Sequence, residues 1–366
     1  MKAVIQTREL PAGSRGLVIS DIHGNLPYLK GLMEKCALRE TDTVIFLGDM
    51  MEKGPDSLGT LRYIMDLART HNVWPVCGNC DGWHRHLLSD APFAFDFRDY
   101  IRKGCRGWGP GLMRQMCDEI GWLPEADTPT REIYARLEER FHAEFAYMDS
   151  FPHMISTPDY DFVHGGIPEG PPETWQDWAL MKNDAFLRQG RRFEKWIVVG
   201  HWPVMLYGEN ITCANPIIDR ESRIVSIDGG CVLKDDGQLN ALVIPPERGD
   251  AFSFIAYDPF PTARVLTAQA ASEKSAYIRW GDNQVEVLER GEEFSRCRHV
   301  RTGYELDILT KYLFGPGPVC TCNDCTDYRL PLAPGDTVSV VETTSRGYLC
   351  KHEGVSGWYR GELQWN

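Results

Sequence analysis

GLVISDIHGN, residues 16–25, joins a short β run to a turn carrying an Asp, a His and a Gly. GLVIS (16–20) reads as a strand, and SDIHGN (20–25) sits at its carboxyl end, where α/β sheets collect their ligands. The arrangement recurs along the chain. TVIFL (43–47) runs into LGDMMEKGPDS (47–57), VWPVC (73–77) into CGNCD (77–81), DFVH (161–164) into VHGGI (163–167), and WIVVG (196–200) into VGHWP (199–203). A sixth strand is expected at IVSID (224–228). Singly, each motif reads as a turn with a capping Asp or a solvated His; five in this order point to one site. Amphipathic YLKGLMEKCAL follows the first strand and SLGTLRYIMDLART the second, which predicts βαβ units and an α/β sheet.

The residue types fit a two-metal centre, which needs hard oxygen donors, imidazoles and one ligand able to bridge both ions. Asp21 and His23 would grip one metal, Asp49 would bridge, and Asn79, His164 and His201 would complete the second. Two such cations bind a phosphoryl group and turn a bridging water into hydroxide for in-line attack, so no side-chain nucleophile is required. Manganese is the first expectation, and iron and zinc tolerate the same ligands.

Thirty-nine Lys plus Arg against 52 Asp plus Glu give a net charge of −13. That argues against nonspecific binding to nucleic acid or to an anionic membrane, both of which need basic surfaces. No apolar run has the length of a membrane span, and MKAVIQTRELPAGSR lacks the apolar core of a signal peptide. A cytoplasmic protein with reduced thiols is the expectation.

Residues 1–260 read as the α/β domain, interrupted by an aromatic, helical insertion at about 83–155 in which Trp83 and Trp108 are expected in the core. After DPFPTAR (258–264) the pattern becomes β-rich. We expect a linker at 261–274 and an all-β module at 275–366, with a split at FGPGPV (314–319). Within the module, C-x-C-x-x-C at Cys320, Cys322 and Cys325, with Cys350 and His352 downstream, is either a structural zinc site or a Cys-rich loop. The rhythm GDTVSVVE…GYLCKHEGVSGWYRGE resembles bacterial SH3-like domains. Its Trp358 and Tyr359 would bind a peptide or pack within the molecule.

The order D-x-H-G, G-D-x-x-x-x-G, G-N-x-D, H-G-G, G-H resembles the calcineurin-like metallophosphoesterases. The closest branch is the phosphoprotein phosphatases, which include bacterial serine/threonine phosphatases and diadenosine-tetraphosphate hydrolases. The likeness covers about residues 16–258, including the closing IDGGCVLKDDGQLNALVI. It implies a β-sandwich flanked by helices in four αββα layers, supports the ligand roles above, and implies hydrolysis of a phosphoprotein or small phosphoester.

Three departures qualify the likeness. Glu52 stands for the family's Asp and Lys53 for its phosphate-gripping Arg, which loses the planar bidentate fork. The family's second Arg has no match in WALMKNDAFLRQGRR, where Lys182, Asn183, Arg188, Arg191 and Arg192 are the nearby residues. Cys80 occupies the place of the general-acid His beside the orienting acid Asp81, with His84 and His86 as substitutes or helix-surface residues. Cleavage of poor leaving groups should suffer most. Phosphomonoester hydrolysis is the leading expectation, with dinucleoside tetraphosphate or phosphodiester hydrolysis and a non-enzymatic scaffold as alternatives.

Overall fold

Unbroken runs of Val, Ile, Leu and Phe form strands that are buried on both faces. Gly16–Ile19 and Thr43–Leu47 are buried at every residue. They pair in parallel with each other, and Asn72–Val76 joins in parallel on the far side of Thr43–Leu47. Leu239–Ile244 and then Ser253–Tyr257 extend this sheet antiparallel on the other edge, giving five strands. A second sheet of six runs Ile5–Thr7, Met154–Ser156, Tyr160–Val163, Trp196–Val199, Ile224–Ser226, Ile217–Asp219. The strands expected from the sequence at 16–20, 43–47, 73–77, 161–164, 196–200 and 224–228 each lie within two residues of an observed one. This computed structural model describes residues 1–89, 93–104 and 107–365.

Alternation along the strands sorts the core into layers. Val18, Ile45, Trp74 and Leu242 of the first sheet pack on Phe162, Val198 and Val225 of the second. Leu17, Ile19, Val44 and Phe46 face the other way, onto Leu29, Leu32, Leu58, Leu61 and Ile64 of helices Leu26–Cys36 and Ser57–Leu67. The outer face of the second sheet is covered by Trp175, Leu180 and Phe186. The result is the expected α/β sandwich in four αββα layers.

The insertion is helical, with segments Trp83–Leu88, Phe97–Lys103, Leu112–Glu119 and Thr130–Asp149. Its Leu137, Phe141 and Phe145 join the helix-side core. Trp83 is buried there, as expected. Trp108 is instead substantially exposed.

Two units partition the chain, one formed by 1–203, 216–232 and 238–258, the other by 204–215, 233–237 and 259–366. The second is all-β. Residues 261–274, read as a linker, contain strand Thr262–Val265, which hydrogen-bonds to Thr337–Thr344 and Leu363–Trp365. Alternation decides this: Ala263 and Val265 are buried between exposed Thr262 and Arg264. FGPGPV is likewise no boundary. It turns the chain between Leu313–Phe314 and Val319–Cys322, which pair antiparallel.

This unit holds two larger sheets, each over its own core. Ala263, Val338, Val340, Cys350 and Tyr359 fill one; Ile278, Val285, Cys297, Leu306, Cys320 and Cys322 fill the other. Cys350 thus lies in a different core from Cys320 and Cys322. Among the described residues no cluster of three or more ligand atoms includes these thiols. They pack as small hydrophobes. Tyr359 is fully buried, and the half-buried Trp358 donates its indole N–H to the Thr326 carbonyl at 2.7 Å, so both serve packing within the unit. Among the described residues no helix is long and apolar enough to cross a membrane.

Candidate metal centre

The turns after five strands converge. Six of the residues in them adopt left-handed backbone: Asp21 (φ 55°), His23 (52°), Asp49 (50°), Glu52 (70°), Lys53 (69°) and His201 (65°). A non-glycine residue held there costs about 1–3 kcal/mol, and such strain concentrates at functional sites. Glycine permits the close approach between turns. A Cβ on Gly48 would meet His164 Nδ1 at 2.6 Å, and one on Gly78 would meet the Asp49 backbone nitrogen at 2.2 Å.

Among the described residues two donor groups result, each with its ligand atoms within 4.8 Å of one another: Asp21, Asp49 and His164, and His23, Asp49 and Cys80. Asp49 is common to both. Its Oδ1 lies 3.4 Å from His164 Nε2 and its Oδ2 3.8 Å from His23 Nε2, which is also 3.9 Å from Asp21 Oδ1.

The inward-facing atoms are buried without hydrogen-bond partners among the described residues: Asp21 Oδ1, both His23 nitrogens, Asn79 Oδ1 and His164 Nε2. Each such orphan costs about 1–3 kcal/mol unless something fills the space between them. Imidazole nitrogens with carboxylate and amide oxygens suit first-row divalent ions, so these residues fit a two-metal centre.

Surrounding contacts orient the ligands. His164 Nδ1 donates to the Leu47 carbonyl at 2.7 Å, leaving Nε2 as the lone-pair nitrogen. His201 Nε2 donates to Asp184 Oδ1 at 2.8 Å, leaving Nδ1. Asp21 accepts from the Ser20 hydroxyl and from His201 N–H at 2.9 Å, both on Oδ2. Burial pushes His201 below the ordinary histidine range, and burial with nearby Lys53 does the same to His23. Neutral imidazoles are the form that ligates. Burial alone would raise Asp49, but His164, His23 and Lys53 outweigh it and hold the carboxylate ionised.

The other predicted residues divide. Lys53 is at the site: burial would lower its ammonium, but Cys80, Asp49 and Asp21 outweigh it and raise it, and it lies 5.4 Å from the Trp108 ring. Cys80 is also there. Asn79 Nδ2 approaches its sulfur at 3.3 Å, its N–H donates to Asp49 Oδ1 at 2.8 Å, and burial with Asp49 pushes the thiol well up.

Asp81 ties loops together. It accepts from Met50 N at 2.8 Å, Met51 N at 3.3 Å and Gly78 N at 2.9 Å, and belongs to neither donor group. Glu52 also lies outside both groups. Buried and raised to about 7 by that burial, it accepts from Tyr100 and, at 3.3 Å, from Leu112 N–H.

His84 is neither a mobile substitute nor a surface residue. It is buried, stacked on Phe145 at 4.8 Å, and bonded to Asp149 at 3.0 Å. Arg191 is bound to the carbonyls of Ile167 and Pro168, and Arg192 to Glu221, both apart from the donor groups. Two acids escaped the sequence reading. Asp184 falls within the unassigned 178–192 stretch. Asp228 follows the sixth strand, fully buried, with Oδ2 lacking a partner among the described residues. Its place after a strand, beside Gly229 and Gly230, was the available signal.

Residues 15–229, more than half of the chain, match the calcineurin-like phosphoesterase family, and the chain belongs to it. A symmetrical bis(5'-nucleosyl)-tetraphosphatase of Vibrio cholerae serotype O1 is 24% identical over 261 residues, covering 59% of this chain and 90% of the relative. Its counterpart in Pectobacterium carotovorum is 28% identical over 167 residues, covering 41% and 56%. Among solved structures, a protein serine/threonine phosphatase of Saccharomyces cerevisiae aligns with 70% of this chain and 84% of its own, at 13% identity and a TM-score of 0.42.

Proposed function

We propose that this chain hydrolyses phosphoryl compounds with good leaving groups, dinucleoside polyphosphate anhydrides first, using Asp21, His23, Asp49, Asn79, His164 and His201 to hold two divalent cations. When bound, the cations would supply Lewis-acid polarisation of the phosphoryl oxygens and acidify a water for attack at neutral pH. Asp49 joins the two donor groups, and Lys53 brings an ammonium charge for the anionic substrate. Asp184 fixes the His201 tautomer. Asp81 and Glu52 hold the loops from which the ligands project.

One observation carries the substrate reading. Where the family it resembles carries a leaving-group acid, this chain has Cys80, and a thiol is a weak hydrogen bonder. Loss of a general acid costs on the order of 10²–10⁴-fold, and the cost falls mainly on alkoxide leaving groups. A nucleoside phosphate leaves without that help. The relatives named as tetraphosphatases support the same choice.

A second reading is phosphomonoester hydrolysis on a phosphoprotein or small phosphoester, favoured by the charge of Lys53 at the site. A scaffold without catalysis is disfavoured, since it has no use for strained, unpartnered buried ligands.

Rates on diadenosine tetraphosphate, an aryl phosphate, a phosphodiester and a phosphoserine peptide, each with added metal, separate the readings. We expect the anhydride to exceed the phosphopeptide by on the order of 10²-fold. Equal rates on the two sink the anhydride reading.

A further inference from the structure

The sulfur of Cys80 has a place in the site that no phosphatase chemistry above assigns to it. It lies with a nitrogen of His23 and an oxygen of Asp49 in a set whose atoms are all within 4.8 Å of one another. All three side chains are at most 2% exposed, and neither nitrogen of His23 has a hydrogen-bond partner among the described residues. The backbone N–H of Cys80 donates to Asp49 Oδ1 at 2.8 Å, which fixes sulfur and carboxylate relative to each other. Asn79 Nδ2 lies 3.3 Å from the sulfur. A thiolate is a soft ligand for a divalent cation.

We infer that Cys80 is a thiolate ligand of the cation bound by His23 and Asp49, and that it makes this position select zinc or ferrous iron over manganese. The inference rests on the two-metal reading above. As the sulfur–metal bond forms, the thiol proton passes to solvent and no oxidation state changes. A coordinated sulfur also has no proton to give a leaving group, in keeping with the preference for anhydrides.

Cobalt(II) tests this without any substrate, because a thiolate ligand adds a near-ultraviolet charge-transfer band to the visible absorption of the bound ion. The full chain, stripped of metal and titrated with cobalt, should show that band. Cys80→Ser should lose it, and Cys77→Ser, which alters a thiol outside both donor groups, should keep it. Competition between zinc and manganese should show the zinc preference falling on the order of tenfold in Cys80→Ser. Visible cobalt absorption without the ultraviolet band overturns the inference and leaves the two-metal reading standing. No cobalt absorption overturns both. Should Cys80→Ser fail to fold, Cys80→Ala, which also lacks the sulfur, takes its place. A band that survives the loss of the Cys80 sulfur comes from a thiol elsewhere and overturns the inference.

Discussion

His201 and Asp184 show how much of this site depends on residues that would not themselves touch a cation. The Asp184 carboxylate accepts from His201 Nε2 at 2.8 Å and from Lys182 at 3.0 Å. It thereby sets which imidazole nitrogen is left to ligate. Partners of this kind are worth about 10–100-fold in metal affinity. Asp184→Ala should weaken metal binding by on the order of tenfold, measured by calorimetry on the metal-depleted protein, with little change in thermal stability, since the carboxylate is half exposed. Unchanged affinity would mean that Asp184 is only a surface partner of Lys182. The left-handed backbone at Asp21, His23, Asp49 and His201 belongs to the same scale. It aims side chains inward at a conformational cost that only the assembled sandwich sustains.

Among the elements, the insertion supplies the clearest case of a helix fixing a loop. Segment Trp83–Leu88 is tied to the end of helix Thr130–Asp149 by Asp149, which accepts from Arg85 at 2.6 Å and from His84 at 3.0 Å. His84 and Arg85 pull the Asp149 carboxyl down to about 2 from its ordinary 3.8. A depressed acid stabilises the fold above its unfolded value and loses that stabilisation as pH falls toward its folded one. Denaturant melts of wild type and Asp149→Asn should therefore differ at pH 6, and the gap should close as pH drops from about 4 to about 2. A gap independent of pH would assign the effect to packing. Glu52 performs a similar office for Phe97–Lys103 and Leu112–Glu119, by accepting from Tyr100 and from Leu112 at the helix start.

At the scale of the molecule, the all-β unit is not an appendix that begins where the phosphoesterase-family unit ends. Segments 204–215 and 233–237, which follow His201 and Asp228 in the chain, cluster with residues 259–366. Thr212 pairs with Ser356 in a sheet, and Lys234 is salt-bridged to Asp324, which also accepts from Tyr277 at 2.9 Å. We propose that the 1–260 boundary read from the sequence is not a folding boundary. A chain truncated after Asp258 leaves both segments without these partners and should express as an unstable or aggregated product. A soluble truncation with the melting temperature of the parent's first transition would refute this.

The sequence by itself determined the sandwich strands, the flanking helices and the motif order that brings Asp21, His23, Asp49, Asn79, His164 and His201 to one end of the sheets. Those features are local: unbroken apolar runs, strand–turn junctions and glycines leave their mark within ten residues. Partners distant in the chain left no such mark. Only the tertiary structure seated Glu52 under the insertion, turned Asp81 into a loop clamp, buried His84, set Asp184 on His201 and threaded Thr262–Val265 into a sheet. It also placed the sulfur of Cys80 among the ligand atoms of a donor group, because the turn after Asn72–Val76 folds back against the turn after Thr43–Leu47. Contacts made across 30 to 180 residues of sequence, such as Cys80 N–H to Asp49 and His201 N–H to Asp21, are properties of the packed sheets.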